Sequence, residues 1–344
     1  MSTATVSTSR RRARVTRDAH LIRLFGILIA LTAFFLIVKT DAFISVGTWQ
    51  SMGVQFPEYG LMALGVMLTM ITGGIDLSSV GIANMTAIAA ASIMLTMAPA
   101  GADTGQQATG VAVGVVVSLV MGALAGLFNG FLVAKVRIPA ILVTLGTLEL
   151  FTGIAIIITA GKPLSGLPPV YGETFGGKVL GVPTPLVVFV VVAVIIWFIL
   201  HRMAFGSKLY MLGSNATAAK FSGLNATSLL LRTYMISGLA SAMAGLVMLA
   251  NYNSAKADYG VAYTLLTILI VVLGGVHPNG GSGKLIGVVL AIAILQILSS
   301  GLNMFPDISN FYRPLIWGAV LLTVISTQDL GRDFWSRFRK RKEQ

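Results

Sequence analysis

The sequence contains no cysteine, so neither a disulfide framework nor thiolate chemistry is available to it. Histidine is nearly absent as well: His20, His201 and His277 are the only three, and none stands at metal-ligand spacing from another. No metal site or resident cofactor is expected. Charged residues make up only 10% of the 344 positions, where a soluble domain carries about 25%. So few charges cannot cover the surface of a water-soluble body. No cluster of histidine or carboxylate suggests catalysis, and an enzymatic role is not expected.

What the chain has instead is apolar surface. Hydrophobic residues account for 56% of it, the mean hydropathy is +0.87, and there are 38 glycines. Lipid is the solvent such a composition suits, and glycine lets helices approach closely there. The net charge of +12 would suit a nucleic-acid partner in a soluble protein. Here the charges lie in loops and tails beside apolar runs. Arg10, Arg11, Arg12, Arg14 and Arg17 precede the first run, and Arg337, Arg339, Lys340, Arg341 and Lys342 follow the last. That placement is an orientation signal on the cytoplasmic side, and no nucleic-acid partner is expected. The run 21–38 is long for a signal peptide and has no small-residue cleavage pattern behind it, so it is read as an uncleaved first helix.

A membrane-crossing helix needs about 20 mostly apolar residues. The sequence predicts an all-α polytopic membrane protein with about ten such spans: 21–38, 58–74, 80–98, 110–134, 138–160, 184–201, 232–250, 262–275, 285–303 and 314–327. Residues 1–20 and 328–344 form basic tails around a transmembrane domain at 21–327. Ten spans put both termini on one side. With both termini cytoplasmic, 19 of the 24 lysines and arginines fall inside, the bias expected of a bacterial inner-membrane protein.

Several short segments carry more than hydropathy. Gly280-Gly281-Ser282-Gly283-Lys284 superficially resembles a phosphate-binding loop. The pattern fails, because Pro278 stands where a glycine is needed and Leu285 where Ser or Thr is needed. The segment is read as a tight turn between membrane helices. In Met70–Ser79, Gly73-Gly74 ends one helix, and Asp76 or Ser78 can cap the next. Asp76 is then either part of a capped turn or the carboxylate of a broken helix facing a translocation path. A similar apolar run, Gly-Gly and break recurs around Gly274-Gly275, hinting at two parallel repeats. In the loop 203–231, Asn215 is placed to cap a short helix over Ala216–Ser222, and Gly223 to stop it. Glu149 lies near the middle of the 138–160 span, where an ionised acid costs at least ~2.5 kcal/mol. It is expected to face the bundle interior or a wet path, with Thr152 three residues on sharing its helix face.

Taken in order, these stretches resemble the permeases of the ribose, xylose and arabinose branch of ATP-binding-cassette importers. The resemblance rests on Gly73-Gly74-Ile75-Asp76-Leu77-Ser78, on Asn129-Gly130 with Ile138-Pro139 and Thr144-Leu145-Gly146, and on Gly213, Asn215, Ala218, Ala219, Ser222 and Gly223. It continues through Leu273-Gly274-Gly275 with Gly280-Gly281 and Gly283, and ends on Gly301-Leu302-Asn303. The resemblance implies a permease subunit without catalytic residues of its own. It also implies a cytoplasmic ABC ATPase as partner, a periplasmic sugar-binding protein that delivers the solute, and a second permease copy or paralogue. Gly213 to Gly223 would then be the ATPase-docking stretch. Asp76, Asn129, Glu149, Thr152 and Asn303 are candidates for the substrate path. Permeases for branched-chain amino acids or nucleosides are the nearest alternative. A proton-coupled secondary transporter would need intramembrane acids as relays, for which Asp76 and Glu149 are the candidates.

Overall fold

The computed structural model describes residues 3–305 together with Tyr312, 315–319 and Leu322, with side chains from His20 onward. Thirteen helices are defined within this part: α1 (Thr3–Val38), α2 (Thr40–Ile44), α3 (Val46–Ile71), α4 (Ser79–Met97), α5 (Thr104–Phe131), α6 (Ala140–Thr159), α7 (Pro169–Phe175), α8 (Thr184–Arg202), α9 (Ala204–Ser214), α10 (Ala216–Phe221), α11 (Ala226–Tyr252), α12 (Tyr263–Leu273) and α13 (Leu285–Leu302). A π-helical turn, Leu132–Val136, extends α5, and Arg137 in the left-handed region ends it. Among the described residues, strand is confined to two antiparallel pairs of two-residue strands. Leu164–Ser165 (β1) pairs with Ser254–Ala255 (β4), and Lys178–Val179 (β2) with Val182–Pro183 (β3).

Eight of the helices are long and apolar enough to cross a membrane, and each corresponds to one expected span. The expected span 262–275 is an 11-residue helix, Tyr263–Leu273. At 1.5 Å per residue that is about 16 Å, half the hydrocarbon thickness. Most of 314–327 and the tail 328–344 lie outside the described residues, as do the side chains of the first nineteen.

The largest difference from expectation is α3, which begins at Val46 and not at 58. Pro57 and Glu58 look like a boundary in the sequence. In the fold both are buried inside a continuous 26-residue helix. Proline in a membrane helix is tolerated where neighbouring groups satisfy the freed backbone.

Helix α3 is the axis of the larger core, buried continuously from Pro57 to Ile71 and surrounded by α8, α11, α12 and α13. A second core joins α4, α5, α6, α7 and the C-terminal half of α11. The most extensively packed helix pair, α5 and α11, meets through small residues. A β-carbon on Gly126 would land on the carbonyl of Tyr234, and one on Gly238 on the carbonyl of Gly122. This is the close backbone approach that membrane helix pairs use. By contrast α1, α6 and α8 present long apolar faces outward, including Phe25, Ile37, Leu142, Ile157, Val194 and Phe198.

The two Gly-Gly breaks do share a structure, but one residue out of the register read from sequence. Gly73 N–H bonds Met70 C=O and Gly74 N–H bonds Thr69 C=O, while Gly275 N–H bonds Val272 C=O and Val276 N–H bonds Val271 C=O. Gly73 (φ +87°) thus corresponds to Gly275 (φ +85°). Both are the left-handed residue of a helix-ending motif that glycine suits. The loop after the second turn reaches the first: Gly281 N–H bonds Ile71 C=O at 2.9 Å.

Candidate functional site

The break between α3 and α4 is organised by one carboxylate. Asp76 is buried, and its Oδ1 accepts from Ser78 N–H (3.0 Å) and Ser78 Oγ–H (2.6 Å). Its Oδ2 accepts from Ser237 Oγ–H of α11 (2.7 Å). Asn129, at the end of α5, donates from Nδ2 to Ser78 Oγ (2.8 Å). Thr144 of α6 donates to Ile75 C=O (2.9 Å). Five segments therefore meet at residues 75–78. The aspartate lies between the two spans, and burial pushes its carboxyl above the usual range against the pull of the Ser78 and Ser237 bonds. Asp76 closes a turn onto Ser78, the residue before α4, and α4 itself has no side-chain cap. The backbone and carboxylate of Asp76 face protein in this conformation and not an open path.

Asn129 thus joins Asp76, but the other path candidates lie elsewhere. Glu149 is exposed on the single chain, not turned into the bundle as expected. The reason is the face α6 commits to packing. Val143, Thr147, Phe151 and Ala155 recur every four residues and are buried, meeting α4. Glu149 falls on the opposite side, between Gly146 and Gly153, neither of which has a neighbour where a β-carbon would stand. Thr152 is half-buried beside this face, and Asn303 is exposed after the last turn of α13.

The 203–231 stretch is more helical than its sequence suggests. Asn215 caps α10 by accepting from Ala218 N–H (2.9 Å), and Gly223 (φ +75°) follows its end. Helix α9 was not anticipated, because Gly206 and Gly213 weaken it as an isolated helix. Both glycines are packing sites: a β-carbon on Gly206 would strike the Leu200 backbone, and one on Gly213 the Ile71 carbonyl. Tyr210 donates to Gly283 C=O (3.0 Å). Helix α9 therefore sits on the first Gly-Gly break and on the turn at 281–283 that follows the second, with Gly213 between them. Of the remaining docking candidates, Asn215, Ala218, Ser222 and Gly223 are exposed, while Ala219 is buried against the core. An open, mostly apolar cleft between α9 and α10 is lined by Tyr210, Met211, Asn215, Ala218 and Ser222.

One acidic residue was missed. Glu58, taken as a span boundary, is 2% exposed. Its Oε1 accepts from Asn251 Nδ2 (2.8 Å), and its Oε2 from the hydroxyls of Tyr252 (2.6 Å) and Tyr263 (3.0 Å). The available signal was the concentration of polar and tyrosine residues at 251–263, which no motif singled out.

Comparison with known proteins agrees with this architecture. The family described as "Branched-chain amino acid transport system / permease component" matches residues 50–325. The ribose import permease protein RbsC of Bacillus subtilis (strain 168) is 34% identical over 272 residues, covering 77% of this chain and 80% of its own. RbsC of Escherichia coli (strain K12) is 32% identical over 304 residues, covering 87% and 91%. The autoinducer 2 import system permease protein LsrD of Escherichia coli O9:H4 (strain HS) is 29% identical, covering 77% and 79%. Among solved structures, an inward-facing chain described as belonging to a metal-chelate type ABC transporter superposes with a TM-score of 0.54 at 15% identity, over 89% of this chain and 98% of that one. That likeness concerns the fold.

Proposed function

We propose, for a chain that belongs to the family of branched-chain amino acid transport system permease components, that it is the membrane permease subunit of an ATP-binding-cassette importer carrying a monosaccharide or related polyol. The observation that carries the solute class is the similarity to two ribose import permeases at 32–34% identity over most of both chains. The chain works with a separate cytoplasmic ATPase, a periplasmic sugar-binding protein and a second permease, in the bacterial inner membrane. The excess of Lys and Arg in alternate loops supports a cytoplasmic position for the α9–α10 end.

The reading gives each neighbourhood a task. The ATPase grips the exposed side of α10 through Asn215, Ala218, Ser222 and Gly223. Helix α9 lies beneath, wedged by Gly213 and Tyr210 against the first break at 71–74 and the turn at 281–283. Closure of the motor moves α10, and α9 passes that motion to α3, α4, α12 and α13 together, as a rigid-body shift about those turns. Asp76, Ser78, Asn129 and Ser237 keep the first break intact while it moves. The face of α6 bearing Gly146, Glu149 and Gly153 turns toward the second permease, and Glu149 with Thr152 borders the path. A carboxylate on a lipid-facing surface would be too costly, and its acceptor oxygens suit a polyol's hydroxyls.

The test is reconstitution in liposomes with a candidate ABC ATPase and a candidate sugar-binding protein from the same organism. The expected result is sugar uptake that requires ATP and all three components, with no ATP hydrolysis by this chain alone. Accumulation driven by a pH gradient without any ATPase would reject the reading.

A further inference from the structure

Midway along α3, beside the end of α11 and the start of α12, stands a carboxylate that this mechanism leaves unused. Glu58 of α3 receives donors from the last turn of α11, Asn251 and Tyr252, and from the first residue of α12, Tyr263. One side chain therefore ties three helices on either side of the 253–262 connection. As a mere tie this is a poor choice, since apolar packing would join the helices without burying an acid.

The surroundings resemble what a sugar would meet. All three partners donate to an acceptor-only carboxylate, two of them through hydroxyls, as a polyol's hydroxyls would. Aromatic rings frame the site: Tyr59 lies edge-on to Tyr263 at 5.5 Å between centroids, and Tyr252 edge-on to Tyr259 at 5.2 Å. Asn251 Oδ1 is buried without a hydrogen-bond partner, an acceptor still open to a further hydroxyl. Tyr252 is 43% exposed, so its ring reaches the surface and its hydroxyl can leave the carboxylate without crossing the core.

We propose that Glu58 is a polyol-recognition residue on the path, covered by Asn251, Tyr252 and Tyr263, whose places solute hydroxyls take as the adjoining ends of α11 and α12 part. The identity of the solute rests on the sugar-importer reading; the closure by Glu58 does not. Binding by exchange of one donor set for another keeps the carboxylate satisfied in both states, so opening does not expose an unpaired buried acid.

The absence of cysteine makes the test direct. Ala257, 6% exposed in the 253–262 connection, is replaced as Ala257→Cys in the full chain in nanodiscs, and its labelling by a membrane-impermeant maleimide is timed. Removing two hydroxyls with Tyr252→Phe and Tyr263→Phe is expected to accelerate labelling about tenfold or more, given that two buried hydrogen bonds are lost. Added ribose is expected to accelerate labelling of the otherwise unaltered chain, L-leucine is not, and the ribose response should vanish in Glu58→Gln. Unchanged labelling in the double phenylalanine variant overturns the closure. No ribose response, or one of full size in Glu58→Gln, overturns the recognition role, and ATP-dependent ribose uptake in the liposome assay would leave the importer reading standing. A response to leucine and not ribose overturns the polyol assignment together with the sugar reading.

Discussion

Ser237 Oγ donates to Asp76 Oδ2 at 2.7 Å, across 161 positions of sequence. That bond fastens the break between α3 and α4 to the middle of α11, the helix with the most extensive packing in the bundle. Losing it should therefore loosen the break and leave the individual helices in place. Asp76→Leu leaves the Ser78 and Ser237 donors buried without an acceptor, at about 1–3 kcal/mol for each. Asp76→Asn retains one acceptor oxygen and should lose about half as much, and Ser237→Ala about 1 kcal/mol. Thermal unfolding of purified variants in detergent checks the order. Equal stability of Asp76→Leu and the unaltered chain would show that the network holds nothing.

Glu149 tests the exposed face of α6. Glu149→Gln keeps a hydrogen-bonding side chain and removes charge. It should insert and fold normally and change the uptake rate, with little change in melting temperature because the residue touches no core. If Glu149→Leu assembles and transports at the unmodified rate, this face borders no path.

The α10 surface separates coupling from folding. Ala218→Trp adds bulk on the exposed side and should abolish ATP-driven uptake while the permease still folds. Ala219→Trp, only one position away, is directed into the core and should lower stability instead, by about 1–3 kcal/mol for overpacking. Asn215→Ala removes the cap and should cost about 1 kcal/mol. Gly223→Leu meets no neighbour but strains a left-handed backbone by about 1–2 kcal/mol. Co-purification of the ATPase with each variant is the measurement, and full binding and uptake with Ala218→Trp would remove α10 from the docking surface.

The α5–α11 contact predicts the most severe loss. In Gly126→Leu the side chain must displace the Tyr234 backbone, and destabilisation of about 3 kcal/mol or more is expected, at the upper end for overpacking. Expression level and monodispersity in detergent report it. Gly146→Leu, with open space around it, is the control and should fold as well as the unaltered chain.

Hydropathy over about 20 residues was sufficient to place eight helices, because a bilayer imposes the same length and composition on any segment that crosses it. The caps around α10 were equally readable, since Asn215 and Gly223 act on backbone groups within four residues of themselves. Tertiary structure decided everything that depends on which neighbour a side chain meets. Hydropathy treats a charge as a boundary, so Glu58 appeared to begin a helix that in fact starts at Val46; only the tyrosines and asparagine from two other helices make its burial affordable. Glu149 looked like an interior acid because the cost of exposure to lipid is general, but the periodic contacts of Val143, Thr147, Phe151 and Ala155 turn it outward. Gly206 and Gly213 argued against α9 by local propensity, and close packing against Leu200 and Ile71 overrode it. Composition and local capping act along the chain and are written in the sequence. The partners of Asp76, Glu58 and Gly213 are brought together by the packing of helices far apart in that sequence, and only the folded bundle specifies them.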